Sequence, residues 1–187
     1  LVDRQTLDIS DSAAVRKALD GLSPWALVNA AGYCRVDEAE RDREACYKSN
    51  AIGPTLLAQA CAQRGLPFVT FSSDLVFDGR ARSPYMESDE VARLSAYGLS
   101  KADAERDVLN AHSGALVVRT SAFFGPWDEY NFVTLTLRAL ARKERVLAAA
   151  DLTVSPTYVP DLVNAGLDLL IDGAHGLWDL AKQGPTT

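Results

Sequence analysis

Short, nearly continuous apolar runs alternate along the chain with longer segments in which apolar residues recur at helical spacing. The short runs predict buried strands, because a strand that is covered on both faces needs apolar residues at successive positions. The predicted strands are QTLDI (5–9), WALVNAAG (25–32), LPFVTFSS (66–73), GALVVRTSAFFG (114–125), RVLAA (145–149) and GLWDLA (176–181).

The segments with helical spacing predict helices between these strands. Ser10 or Asp11 is placed to cap the first helix, and Gly65 is a favourable C-terminal stop for a later one. Pro54 removes an internal hydrogen bond and therefore predicts a kink or a helix start. The predicted helices lie at 12–19, in two parts within 36–65, at 95–112, 131–144 and 160–173, and the segment 74–95 is predicted as a charged loop.

This order of strands and helices predicts an α/β fold, a doubly wound, Rossmann-like parallel sheet with helices on both faces. Ligands of such sheets bind beyond the carboxyl ends of the strands. Small or polar residues follow the apolar runs at those ends, at positions 8–9, 29–31, 72–74 and 119–121. The sequence therefore indicates one edge of the sheet as the place for a site.

Composition narrows the classes of function. The 187 residues are 48% hydrophobic with a formal net charge of −6 and no basic stripe, which disfavours nucleic-acid binding. No apolar run reaches the length of about 18 residues that a membrane span needs. The three cysteines include no CxxC pair, which predicts reduced thiols and a cytoplasmic protein. His112 and His175 have no ligand spacing, so no metal is predicted.

The stretch SAYGLSKADAE places Tyr97 and Lys101 four residues apart, on one face of a predicted helix. A phenol titrates at about 10, so acid–base chemistry at neutral pH requires a group that stabilises phenolate, such as an ammonium one turn away. Ser72 or Ser73, at a neighbouring strand end, could hold a substrate carbonyl. A solvated helix face and ordinary turn chemistry are the alternative explanation of these residues.

The residues after the second apolar run allow two interpretations. Asn29, Ala30 and Ala31 are followed by Gly32, and small residues there let a flat ring or a ribose approach the backbone. A tight turn that needs little side-chain volume explains them equally well. Asp8 could accept a hydrogen bond from an adenine amine, and helix capping is its alternative role.

Several motifs carry a resemblance over nearly the whole chain. They are LDISD, VNAAGYCRVDEAE, FSSDLVFDG, PYMESD, YGLSK, RTSAFFG, the pair Asn131 and Phe132, SPT at 155–157, and GLWDLA. In this order they resemble the extended short-chain dehydrogenase/reductase family, and within it the dTDP-4-dehydrorhamnose reductase-like, sugar-nucleotide-binding group. The succession of SSDLVFDG and YGLSK is the most specific part of the match.

The resemblance implies reduction of a nucleotide-linked 4-keto sugar with NADP(H) or NAD(H). It implies that Tyr97 protonates the new alkoxide, that Lys101 lowers the tyrosine pKa and holds the nicotinamide ribose, and that Ser73 polarises the keto oxygen. The implied cofactor-binding residues are Asp8, Ile9, Asn29, Ala30, Ala31, Tyr33, Lys101, Thr120 and Ser121. The implied substrate-binding residues are Val36, Ser73, Asp74, Ala122 and Asn131.

The chain also departs from the family pattern. Ala122 stands where the resemblance leads us to expect Trp, and Leu152 and Val154 stand where Gln and Gly are expected. These differences touch the sugar side of the site and leave the redox residues intact. The resemblance further implies a partial dinucleotide-binding domain over 1–150 and the start of a substrate-binding region, interleaved with it, over 151–187.

The twelve glycines form neither GxxGxxG nor GxGxxG, the turn that holds a pyrophosphate at a helix N-terminus. We therefore expect the chain to begin after the first strand–helix–strand unit of a longer protein. On its own, the 187-residue chain is expected to bind NADPH weakly or not at all. Calorimetric titration measures this affinity, and sub-micromolar binding would contradict the expectation.

Other functions stay open at this point. A non-catalytic sugar-nucleotide-binding or regulatory module keeps the same motifs, and an epimerase or dehydratase of the same superfamily retains and recycles its NAD. A homodimer, and fusion to other sugar-active domains, are further expectations from the resemblance.

Overall fold

The computed structural model describes residues 1–92, 94–129, 131–149 and 151–181. Its main sheet has four parallel strands, β1 (Leu27–Asn29), β2 (Phe68–Phe71), β3 (Leu116–Arg119) and β6 (Gly176–Asp179), in the order β1-β2-β3-β6. Every pairing in this sheet is parallel, so all four carboxyl ends meet at one edge. The predicted doubly wound α/β fold is confirmed.

Helices cover both faces of the sheet. The described residues form the helices α1 (Ser12–Leu22), α2 (Arg43–Tyr47), α3 (Gly53–Ala62), α4 (Ala96–Ala111), α5 (Phe132–Ala141) and α6 (Val159–Ile171). On one face Val15, Leu57 and Val108, from three different helices, pack against strand residues of the sheet. On the other face Leu162 and Leu170 of α6 do so. β3 is buried at all four of its positions because it lies inside the sheet with helices on both sides.

Local signals explain where the helices begin. The Asp11 carboxylate accepts from the backbone N–H groups of Ala13 and Ala14, so Asp11 rather than Ser10 caps α1. Ser95 caps α4 by accepting from the N–H of Gly98. The predicted effect of Pro54 is also seen, because a π-helical turn, Lys48–Ile52, joins α2 to α3 where the proline interrupts the ladder.

Three predicted strands differ from the structure. Residues 5–9 form no strand. A turn covers residues 4–6, where the Asp3 side chain accepts from the N–H groups of Gln5 and Thr6 and holds the chain out of a strand. Residues 145–149 form no strand, and Leu147 is 80% exposed, because this run has no paired neighbour among the described residues. The run 114–125 is split, because Ala122 has a left-handed φ of 41°.

The split creates a second, smaller sheet. After Ala122 the chain forms β4 (Phe123–Phe124), which pairs in parallel with β5 (Thr157–Tyr158). This pair lies between β3 and β6 in sequence, whereas β6 returns to the main sheet beside β3. The predicted domain boundary at 150 stays a prediction, and the end of the predicted substrate-binding region, 182–187, lies outside the described residues.

Candidate active site

Helix α4 brings the tyrosine and the lysine to the carboxyl edge of the sheet. Tyr97 lies in its first turn and Lys101 one turn later, on the same face. The Lys101 Nζ atom lies 5.8 Å from the centroid of the Tyr97 ring. Both side chains point towards the sheet, so a solvated helix face does not explain the pair.

Burial decides the protonation state of Tyr97. Desolvation is the main cause that raises the pKa of the Tyr97 phenol to about 12, and a side-chain hydrogen bond with Ser73 acts in the opposite direction. The shift is therefore upwards, opposite to the lowering by Lys101 that the resemblance implied, because burial is its main cause. The phenol keeps its proton at neutral pH, which is the state that a proton donor needs.

Lys101 is held in a low-polarity environment. Its Nζ donates to the carbonyl oxygen of Phe71 at 3.0 Å, at the end of β2. Desolvation lowers the pKa of Lys101 to about 8, although electrostatic interactions with Cys46, Cys34 and Glu105 act to raise it. The ammonium form still predominates at pH 7, but the margin is small.

The two serines after β2 have different partners. The Ser72 Oγ donates to Glu105 at 2.6 Å and faces that carboxylate. Ser73 is the serine next to Tyr97, and its hydroxyl also donates to Asp74 at 3.2 Å. The other Asp74 oxygen accepts from the Ser121 hydroxyl, which ties the end of β2 to the end of β3.

The segment after β1 is held from behind by Asn50, which is buried on the π-helical turn. Asn50 accepts from the Tyr33 N–H at 2.7 Å and donates to the Tyr33 carbonyl at 3.1 Å. It also donates to the Ser100 hydroxyl at 3.2 Å, and Ser100 belongs to α4. Asn50 therefore fixes the segment after β1 against the helix that carries Tyr97.

The backbone at Gly32 lies close to these groups. A Cβ atom at this position would be 3.0 Å from Asn50 Oδ1 and 3.6 Å from Lys101 Nζ. Any side chain at position 32 would therefore occupy the space beside the ammonium group. Ala30 and Ala31, which precede it, are exposed.

A cavity of about 660 Å³ adjoins this segment on the side of β1. The predicted cofactor residues that line it are Asp8, Ile9, Asn29, Ala30 and Ala31, and Gly32 joins them. Tyr97, Lys101 and Ser73 do not line the cavity. Gly32 lines the cavity and also lies close to the Lys101 ammonium group, so it connects the cavity with these three residues. Asp8 accepts from the N–H and the hydroxyl of Ser10, which lowers its pKa to about 2.

Thr120 and Ser121 follow β3 and are buried. The Thr120 Oγ1 atom is buried without a hydrogen-bond partner, and so is the Tyr33 hydroxyl. A buried hydroxyl that lacks a partner is costly, so each of these atoms is a candidate for contact with a bound molecule.

The predicted substrate residues lie on four separate segments, one of which is the segment after β2 with Ser73 and Asp74. Val36 is half-buried just before a 3₁₀ turn, Glu38–Glu40. Ala122 is exposed, and its carbonyl accepts from the Thr157 N–H at 3.1 Å. Asn131 caps α5, because its Oδ1 accepts from the Thr134 N–H and its Nδ2 donates to the Asp128 carbonyl. The Asn131 amide is thus already used locally.

The contact between α4 and the end of β2 depends on Gly98. A Cβ atom there would overlap the backbone carbonyl oxygen of Leu75. Gly98→Ala is therefore expected to lower the free energy of unfolding by about 1–3 kcal/mol despite the better helix propensity of alanine. The control is Gly166→Ala in α6, where nothing lies within 4 Å of the new methyl group. That change is expected to stabilise by about 0.5–1 kcal/mol. Denaturant unfolding measures both, and effects of the same sign would contradict the role of Gly98.

Sequence reasoning missed four residues of this region, Asn50, Ser100, Glu105 and Arg119. All four are buried polar residues. A signal was present for three of them. Glu105 continues the spacing of Tyr97 and Lys101 by one more turn, Ser100 lies one position before Lys101, and Arg119 belongs to the polar strand end at 119–121. Asn50 gave no such signal within its helical segment.

Two structural features are absent from the described part of the chain. No helix there is long and apolar enough to cross a membrane. Within the same residues, no group of three or more His, Cys, Asp or Glu side chains is arranged to hold a metal ion.

Comparison with known proteins gives consistent matches. A family model described as the RmlD substrate binding domain matches residues 1–187. The dTDP-4-dehydrorhamnose reductase of Aggregatibacter actinomycetemcomitans is 34% identical over 163 residues, which are 87% of this chain and 55% of that protein. The dTDP-4-keto-6-deoxy-D-glucose reductase of Streptomyces niveus is 33% identical over 187 residues, which are 100% of this chain and 65% of that protein.

A solved structure agrees in fold. The dTDP-4-dehydrorhamnose reductase from Bacillus anthracis in complex with NADP matches this chain with a TM-score of 0.95 and 32% identity, over 100% of this chain and 66% of that one. The chain therefore spans 55% to 66% of the length of these three relatives.

Proposed function

This chain belongs to the RmlD substrate binding domain family, and from that membership we propose that the complete protein reduces a nucleotide-linked 4-keto sugar with NADPH or NADH. The observation that carries the proposal is the cluster of Tyr97, Lys101 and Ser73 at the carboxyl edge of the sheet. A proton donor, a cation and a hydroxyl in one place are what carbonyl reduction needs from a protein.

The three residues have distinct roles in the proposal. The Ser73 hydroxyl and the Tyr97 phenol hold the keto oxygen between them, and Tyr97 donates its proton to that oxygen as it becomes an alkoxide. The phenol pKa of about 12 still allows this transfer, because an alkoxide is the stronger base. Lys101 keeps a positive charge beside the reacting groups and holds the ribose next to the nicotinamide ring. A reduced nicotinamide, when bound, supplies the hydride to the keto carbon.

The residues present fit a dinucleotide. The cavity of about 660 Å³ offers room beside β1, and Asp8, Ile9, Asn29, Ala30 and Ala31 line it. Gly32 has no side chain, which leaves space for a cofactor ring to reach Lys101. The unpaired Thr120 hydroxyl, directly after β3, offers a polar contact. Tyr33 and Ser121 complete the proposed cofactor set. The Bacillus anthracis relative, which was solved with NADP, supports this proposal.

We place the substrate on the side of the small sheet. Val36, Asp74, Ala122 and Asn131 are the proposed contacts, together with Ser73. The names of the two curated relatives support a dTDP-linked 4-keto-6-deoxy sugar as the substrate class. Because the Asn131 amide already caps α5, we expect it to contribute through the position of the helix start rather than through a free amide.

The test is an assay of the complete protein with NADPH and dTDP-4-dehydrorhamnose. Consumption of one NADPH per sugar reduced supports the proposal. A tightly retained NAD with no net consumption would instead indicate an epimerase or a dehydratase. Binding of sugar nucleotide without turnover would indicate a non-catalytic or regulatory module.

The unpaired state of Cys34, Cys46 and Cys61 supports a reducing, cytoplasmic location for the protein. The homodimer and the fusion to other sugar-active domains stay predictions.

A further inference from the structure

Helix α4 contacts the end of β2 at three successive turns. Tyr97 faces Ser73, and Lys101 donates to the Phe71 carbonyl. One turn further along α4, the Glu105 carboxylate accepts from the Ser72 hydroxyl at 2.6 Å. The third contact has no part in the chemistry proposed above, although it lies on the same helix face.

Glu105 binds a second strand end at the same time. Its Oε1 accepts from Arg119 Nε at 2.8 Å, and its Oε2 accepts from Arg119 Nη2 at 2.8 Å. Such a bidentate pair fixes orientation as well as distance. Glu105 is 5% exposed and Arg119 4% exposed, so water does not compete for these bonds.

Arg119 extends the connection to the loop that precedes α4. Its guanidinium lies 4.7 Å from the centre of the Phe77 ring and donates to the Glu87 carbonyl at 3.5 Å. It also lies 3.9 Å from Asp179 at the end of β6. Arg119 is the last residue of β3, and the proposed cofactor residues Thr120 and Ser121 follow it directly.

We propose that Glu105 and Arg119 are positioning residues, which hold α4 in register with the ends of β2 and β3 and so set the approach of the Tyr97 phenol to the Ser73 hydroxyl. The proposal rests on the proposed function as far as turnover is concerned. Its geometric part, the dependence of the Tyr97 environment on Glu105, holds for any function of the fold.

A buried ion pair with a purely structural role has a different signature. Removing one partner leaves a buried charge unpaired and destabilises the protein. In that case the fraction that stays folded keeps its normal kcat, because only the amount of native protein falls. If the pair sets the register of α4, its removal lowers the kcat of the folded protein itself, because small displacements of the reacting groups lower the rate strongly.

The experiment uses two variants of the complete protein. Glu105→Gln keeps the shape of the side chain but ends the bidentate charge pair. Ser72→Ala keeps the ion pair and removes only the link to β2, so it stays folded even where Glu105→Gln does not. The control is Asp20→Asn, which breaks an exposed ion pair between Asp20 and Arg64. Neither of these residues belongs to α4.

Two readouts separate positioning from stability. The first is kcat and KM at a temperature below the unfolding transition of each variant. The second is fluorine NMR of protein that contains fluorotyrosine, in which the Tyr97 resonance is identified by its loss in Tyr97→Phe. This second readout needs neither substrate nor turnover.

The expected result is a fall in kcat of about 10- to 100-fold for Glu105→Gln and a smaller fall for Ser72→Ala, with KM for NADPH within about twofold. The Tyr97 resonance shifts in both variants and not in Asp20→Asn. An unchanged kcat together with an unshifted resonance in folded Ser72→Ala overturns the proposal. If the complete protein reduces no 4-keto sugar but the resonance shifts, the proposed function fails and the positioning role stands.

Discussion

Replacing Tyr97 by phenylalanine in the complete protein is expected to lower kcat about 1000-fold and to leave the affinity for NADPH within about twofold. In the proposed reaction the phenol beside Ser73 is the proton donor, and desolvation, which raises its pKa to about 12, keeps it protonated throughout the neutral range. Phenylalanine retains the ring, its packing against Ala39 and Cys46, and the neighbouring ammonium group. Only the transferable proton is lost.

Steady-state turnover and a fluorescence titration with NADPH measure the two quantities. Tyr47→Phe is the matched control, because it removes a half-buried hydroxyl that contacts Asp103, at 3.3 Å, instead of Ser73. This control is expected to keep kcat within about threefold. Turnover of Tyr97→Phe at the normal rate would remove the phenol from the mechanism and leave only the fold and the family.

Lys101→Met is expected to make the protein more stable and less active at pH 7. The folded protein buries an ammonium group, and this lowers the pKa of Lys101 from 10.5 to about 8. That difference corresponds to about 3 kcal/mol of cost in the folded state at neutral pH. The loss of the hydrogen bond to Phe71 offsets about 1 kcal/mol of it. We therefore expect a net gain of about 1–2 kcal/mol in the free energy of unfolding.

The sign of the pH dependence follows from proton counts. Between pH 8 and 10.5 the unfolded chain holds more protons at Lys101 than the folded chain does, so the wild-type protein gains stability relative to Lys101→Met as the pH rises. The stability advantage of Lys101→Met is largest below pH 8 and decreases as the pH rises towards 10.5. Denaturant unfolding at several pH values measures this advantage. If Lys101→Met is less stable than the wild type at pH 7, and the difference in stability does not change above pH 8, then the Lys101 ammonium group does not destabilise the folded protein.

The same variant tests function. Loss of the ammonium group is expected to lower turnover of the complete protein at least about 100-fold. The activity of the wild-type protein should decline above pH 8 for the same reason, while Tyr97 still carries its proton. Lys17→Met is the control, because Lys17 is exposed on α1 and should change neither stability nor turnover appreciably.

The resemblance drawn from the motifs is confirmed by the family match, and the fold class is confirmed by the parallel sheet. The helix and strand predictions succeeded where the signal was local and long, as in α4 and α6 with their N-terminal signals. They failed at 5–9 and 145–149, because a short apolar run becomes a strand only when a neighbour pairs with it. The small sheet of β4 and β5 was missed for the same reason, since its two strands are far apart in sequence.

Within the candidate site, the sequence left open which of the two serines faces the tyrosine. Successive residues of an extended chain point to opposite sides, so only the position of α4 over β2 assigns Ser73 to Tyr97 and Ser72 to Glu105. The direction of the Tyr97 pKa shift was also predicted wrongly. Charge spacing is visible in a sequence, but the extent of burial, which is the main cause of the raised pKa, is not.

The sequence by itself determined the α/β class, the family and the tyrosine–lysine face of α4, because periodicity and motif order are properties of neighbouring residues. The tertiary structure alone decided the protonation of Tyr97 and Lys101, the choice of Ser73, and the pairing of Glu105 with Arg119 across 14 residues. These depend on desolvation and on contacts between distant segments, and both exist only once the sheet and its helices have packed.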